Sequence, residues 1–215
     1  MDVILNLRNE SKIILHTHQK TPNTLFIYIN DNNDNHWFFS YKNNDELPKT
    51  LNKYKNIVFY GPVKNLPDNF LNNITEVKKF IFRLPNLEKV ENNWMKNCTN
   101  LEKVDFTDLN KLKSVGNDWM KNCKKLETVN FIGLNKLKRV GDNWMENCEN
   151  LETVDFIGLS SLESDSVGRY WMYNSDLYTG IYHEIFKNTN STTTSIQNRL
   201  IEIKKEITDA KRVRE

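Results

Sequence analysis

A chain of 215 residues with 38% hydrophobic and 11% aromatic content can bury a real core and is too apolar for a disordered polymer. Thirty Lys and Arg against 28 Asp and Glu leave +2, which gives no electrostatic reason to expect nucleic acid or a membrane as partner. No apolar run approaches the ~18–20 residues of a membrane span, and the start, Met1-Asp2-Val3-Ile4-Leu5, lacks the basic stretch of a secretory signal, so the expected location is intracellular.

Residues 1–45 carry four short alternating segments, at Val3-Ile4-Leu5, 12–16, 24–29 and 37–41, separated by turn-forming stretches. They predict a small antiparallel sheet, whose simplest role is an N-terminal cap; a separate recognition module is the other role open to it. His16 and His18 would share one strand face, a weak invitation to a metal.

From residue 46 to 186 the chain repeats. Trp94, Trp119 and Trp144 lie 25 residues apart, as do Cys98, Cys123 and Cys148, and Trp171 follows after 27. The copy WMKNCKKLETVNFIGLNKLKRVGDN runs from Trp119, and its neighbours match it position by position. An older-looking copy begins at Phe70, and a degenerate one runs from Leu51. Within a copy, Leu126-x-x-Val129-x-Phe131 reads as a short strand with Val129 and Phe131 facing one way. Leu134, Leu137 and Val140 then place one inward residue per corner. Val140-Gly141 is expected to turn with Gly at positive φ, and Asp142 or Asn143 to cap a helical turn carrying Trp144 and Met145. One such coil cannot bury its apolar side alone, so the coils must stack.

Residues 187–195 form a polar, Thr-rich linker. Residues 196–215 follow as a C-terminal amphipathic helix, with Ile196, Leu200, Ile203 and Ile207 as its stripe. That stripe is expected to pack on its own domain; self-association through 196–212 is its other possible use.

The pattern L-x-x-L-x-L resembles the leucine-rich repeat. More narrowly, V-G-x-x-W-M-x-N-C-x-x-L-x-x-V is similar to the BspA-like subclass, with Trp119-Met120 where that subclass has Ala-Phe. The resemblance covers residues 50–180 and implies an α/β repeat solenoid, with parallel strands, short helical turns and a right-handed path. Such repeats, together with 32 Asn and a single Ala, Ala210, resemble proteins of giant DNA viruses such as mimivirus. The Asn excess reads as codon bias, which weakens every Asn-based motif.

Chemistry is sparse. The three Cys occupy one position of successive coils, where thiols fill a buried column; no fourth ligand and no C-x-x-C accompanies them, so no metal or cofactor is expected. The Trp column reads as core packing rather than base or sugar stacking. No phosphate loop, nucleophile elbow or zinc-protease motif is present, and the chain reads as non-enzymatic. A hydrolase hidden in 1–45 or 172–195 would need convergent polar groups in one pocket.

What remains is surface. Stacking places Lys79, Lys103, Thr128 and Thr153 in one outward file of the concave sheet, and Ile81, Asp105, Asn130 and Asp155 in the next. Arg83, Thr107, Ile132 and Ile157 form a third. The expected partner-binding residues are Lys79, Lys103, Asp105, Thr128, Asn130, Ile132, Asp155 and Ile157. Two like charges around an amide, beside exposed Ile, would be relieved by a partner offering a cation and an apolar anchor. The function expected is a scaffold that binds an unidentified protein on its concave sheet. The alternative is a structural or assembly component of a virus particle, acting through its caps and C-terminal helix.

Overall fold

The computed structural model describes residues 2–6, 12–29, 46–156, 158–162 and 166–173. The expected strand at 37–41, the linker and the C-terminal helix lie outside them, as does Ile157.

β1 (Asp2–Asn6), β2 (Lys12–His18) and β3 (Thr21–Ile29) pair antiparallel in that order. After the short helix α1 (Glu46–Leu51) the pairing changes sense. β4 (Asn56–Tyr60) runs parallel to β3, β6 (Lys79–Arg83) parallel to β4, and β8 (Lys103–Asp105) parallel to β6. The antiparallel strands and the first coils therefore share one six-stranded sheet. β10 (Thr128–Asn130) and β12 (Thr153–Asp155) form a separate parallel pair, beside β8 but with no ladder to it. A second corner of each coil builds a four-stranded parallel sheet from β5 (Asn65–Leu66), β7 (Lys89–Val90), β9 (Ser114–Val115) and β11 (Arg139–Val140). The result is a parallel β-solenoid of about four turns with little helix.

The strands are shorter than the apolar spacing predicts. Phe106, Phe131 and Phe156 sit one residue past β8, β10 and β12, although their rings are buried. Their carbonyls accept the amides of Leu109, Leu134 and Leu159 at 2.9, 3.1 and 2.9 Å, so the chain is already turning at the Phe. β4 and β6 by contrast contain theirs, Phe59 and Phe82, which pair in register.

The expected helical turn at Trp144 is absent. Asn143, Met145 and Asn147 have φ of 60°, 55° and 57°, with Trp144 and Glu146 between them outside that region. The same alternation recurs at Asn69, Leu71 and Asn73, at Asn93, Met95 and Asn97, and at Asp118, Met120 and Asn122. A helix needs the same hand at successive residues; this backbone alternates, so its amides reach other coils. Asn93 and Asn97 N–H donate forward to Asn117 and Lys121 carbonyls (2.8 and 2.8 Å), while Met95 N–H donates back to Phe70 (3.1 Å). Asn and Asp tolerate the left-handed region better than other non-Gly residues. Among the described residues eight of the 14 left-handed non-Gly positions are Asn or Asp, so Asn in the repeats is structural and not only a compositional bias.

Their side chains then form ladders between coils. The Nδ2 groups of Asn97, Asn122 and Asn147 donate to the Oδ1 atoms of Asn73, Asn97 and Asn122 at 2.8, 2.6 and 2.9 Å. In a neighbouring column Asp68, Asn92, Asn117 and Asp142 each accept a backbone N–H from the next coil. Gly141 does not take positive φ, contrary to expectation. It is needed because a Cβ there would collide with Asn117 and Gly116 of the preceding coil.

Inside, Trp94, Trp119, Trp144 and Trp171 stack with centroids 5.4, 5.2 and 5.8 Å apart, and Phe82, Phe106, Phe131 and Phe156 run beside them. Indole Nε1 of Trp94, Trp119 and Trp144 finds no acceptor among the described residues. Leaving a donor unmet costs about 1–3 kcal/mol, which the ring burial and stacking have to offset.

Candidate functional site

The expected metal and redox candidates have other roles. Cys98, Cys123 and Cys148 are buried, and their thiols donate to the carbonyls of Leu71, Met95 and Met120 at 3.1, 3.2 and 3.2 Å. These acceptors are the middle left-handed residues of the preceding coil. Burial pushes the Cys123 and Cys148 thiols well above their ordinary range. His16 stacks on Phe26 at 5.2 Å and lies 3.3 Å from the Tyr60 hydroxyl through Nδ1. The pairing slips between Thr17 and His18, and His18 Nδ1 accepts the Lys20 amide. Among the described residues no group of His, Cys, Asp and Glu comes together to hold a metal ion.

The outer face of the parallel sheet divides at the break between β8 and β10. On the far side of the break the expected binding residues are small and polar. Thr128 and Thr153 pair in register, as do Asn130 and Asp155. Asn130 Oδ1 accepts the Ile132 amide at 2.8 Å, which fixes the turn out of the strand. Ile132 is 50% exposed.

Asp105 corrects the expectation of an unrelieved charge. Its carboxylate accepts Arg83 Nη2 at 2.8 Å and the Thr107 amide and hydroxyl at 3.0 and 2.7 Å. Partial burial pushes its pKa up, but these bonds from Arg83 and Thr107 outweigh it and hold the group at about 2. Arg83 Nε also lies 3.3 Å from Asp108. Its Nη1 is buried and has no acceptor among the described residues. Lys103 is exposed and pairs in register with the half-buried Lys79.

On the near side the face is apolar and aromatic. The register aligns Phe26, Val58, Ile81 and Asp105 in one row, and Tyr28, Tyr60 and Arg83 in the next. Phe26, Tyr28, Val58, Tyr60 and Ile81 are half-buried, and the Tyr28 and Tyr60 rings lie 5.3 Å apart. Sequence reasoning looked for apolar surface at Ile132 and Ile157 and passed over Phe26, Tyr28, Val58 and Tyr60. The two-residue alternation in 24–29 and 56–60 was the available signal: the inward set is Leu25, Ile27, Ile57 and Phe59, so the outward set follows.

The BspA type leucine rich repeat region matches residues 49–166, in six copies. The chain belongs to the BspA-type leucine-rich repeat family. No curated protein matches it. The crystal structure of a T. pallidum leucine-rich repeat protein is similar at 10% identity and a TM-score of 0.32, covering 71% of this chain and 88% of that one. In this member of the family the match begins inside α1 and ends in the last described coil, so β1–β3 lie outside it.

Proposed function

We propose that this leucine-rich-repeat chain is a non-enzymatic scaffold that grips a protein partner on the outer, concave face of its first coils. The observation that supports this is the apolar row Phe26, Val58 and Ile81 beside Tyr28, Tyr60 and Arg83. Half-exposed aromatics around an Arg with an unmatched donor have the composition of an interface centre. β1–β3 serve a second purpose as the cap of the solenoid edge, since they cover strand β4 that would otherwise be open to pairing.

The test is affinity capture from the source cells with Phe26→Thr and Ile81→Thr combined. Thr keeps the strand preference and removes apolar area. The double variant is expected to melt near the parent and lose the captured protein, whereas Ile132→Ser retains it. Capture that survives the double variant but not Ile132→Ser moves the interface beyond the sheet break.

A further inference from the structure

We propose that the flank formed by β5, β7, β9 and β11 is a second interaction surface, which takes an extended acidic segment of a polypeptide. It lies on a different corner of the coil from the sheet face above, and does not depend on that reading.

Elsewhere on the solenoid a cation in one coil faces a carboxylate in the next. Lys78 meets Glu102, Lys121 meets Glu146, and Lys124 meets Glu149, at 2.6, 2.7 and 2.8 Å. On this flank one such pair recurs, Lys113 with Glu88, but among the described residues the cations outnumber the carboxylates. Backbone bonds carry the column Lys64, Glu88, Lys113 and Lys138 from coil to coil. The ladder column beside it reads Asn65, Lys89, Ser114 and Arg139. Lys111 and Lys136 each lie two residues before Lys113 and Lys138, across a buried Leu.

Among the described residues seven cations therefore share the flank with two carboxylates, Glu88 and Glu91. Both carboxylates are engaged, with Lys113 and Lys89, each at 2.6 Å. Lys111 Nζ donates to the side-chain oxygen Oδ1 of Asn86 at 2.8 Å. Lys64, Lys136, Lys138 and Arg139 form no ion pair within 4 Å among the described residues. Successive coils sit ~4.8 Å apart, within a Debye length of each other, so these like charges repel in the free protein.

An open groove of about 410 Å³ runs along the same flank. Arg139 and Ser114 stand on its rim, and Gly116, Gly141 and Gly168 lie along it. Glycine puts no side chain on the groove floor, and at Gly116 a Cβ would come within 2.6 Å of Asn92 Oδ1 in the preceding coil, so close stacking holds the position as glycine. The groove contains no aromatic residue on which a base could stack, which single-stranded nucleic acid binding relies on. Its bare floor accepts short side chains between the charges of an Asp- or Glu-rich chain; a phosphodiester backbone would match the cationic rim alone.

The experiment is fluorescence anisotropy of a labelled Glu/Ala peptide against the full chain. Saturable binding that weakens with salt is expected, falling about tenfold or more in the combined variant Lys136→Glu, Lys138→Glu and Arg139→Glu. The charge-matched variant Lys20→Glu, Lys53→Glu and Lys125→Glu, at exposed positions off this flank, is expected to bind like the parent. If charge reversal lowers the melting point, Lys138→Gln with Arg139→Gln replaces it, with a severalfold loss expected. Equal weakening in the control variant, or equal competition by a thymidine oligonucleotide of the same charge, overturns the proposal.

Discussion

The turn side of the coils and the sheet side are cut from the same repeats, yet only one of them is uniform. On the turn side the copies at Trp94, Trp119 and Trp144 each keep a Trp, a buried Met, a Cys and a left-handed Asn or Asp on either side of the Met. On the sheet side an outward position varies between coils, as in Ile81 opposite Asp105 and Asn130 opposite Asp155. A repeat protein compares itself with itself. What every coil keeps is what stacking requires, and what varies is free to meet something else.

That contrast is broken most sharply at the turn side. Trp119→Ala removes a ring stacked on two others and is expected to destabilise the array by about 3–5 kcal/mol, read by denaturant unfolding. Neighbouring coils should melt with it, because each is stable only against the next. A variant that melts like the parent but loses a ligand would make the Trp column a binding site.

Asn122→Ala should cost less, about 1–3 kcal/mol. It puts Ala at φ 61° and strips the ladder from Asn97 and Asn147. Asn122→Gly separates the two causes, since Gly relieves the backbone and not the ladder. Equal losses in both variants would assign the whole effect to the amide bonds.

The thiols sharpen the same side. The folded protein should react slowly with a thiol reagent and expose three thiols once denatured. The folded pKa of Cys123 and Cys148 is raised, so the folded state keeps protons that the unfolded chain releases above about pH 8.5. Stability should therefore fall as pH rises past that value, and Cys123→Ala should flatten the decline.

The smallest effect belongs to the sheet side. Asp105 is held at about 2, below its unfolded value, so its contribution is complete at neutral pH and is lost as pH falls from about 4 through about 2. Arg83 and Asp105 side chains are 41% and 25% exposed, and solvent screening keeps the pair's worth below about 1 kcal/mol. Asp105→Asn should remove that acid limb and lower the unfolding midpoint at pH 7 slightly, by the amount the parent loses in acid.

The 25-residue period and the inward residues were legible because a stacked core demands the same apolar side chain at the same place in each coil. Trp119, Cys123, Leu126 and Phe131 are all buried. The backbone hand of the Trp turn was not legible. Helical and alternating turns both bring Trp144 and Met145 inward, and the Asn that distinguishes them was absorbed into the overall Asn excess. The aromatic face stayed hidden for a different reason. Phe26 and Val58 become neighbours through parallel pairing of β3 and β4, across a connection that leaves no local mark of which strands meet. Asp105 was misjudged because its partner, Arg83, comes from the diagonal position one coil earlier and not from its own file.

The stack of indoles carries an optical consequence. Trp94, Trp119 and Trp144 lie nearly coplanar in orientation, 6° and 3° apart, at centroid distances where transition dipoles couple. The folded chain should show a coupling shift in its near-ultraviolet absorption that no single indole produces. Because the coupling needs adjacent rings, it would fade in steps as coils peel from an end and vanish at once if the array opens as a unit, so the protein carries its own gauge of cooperativity.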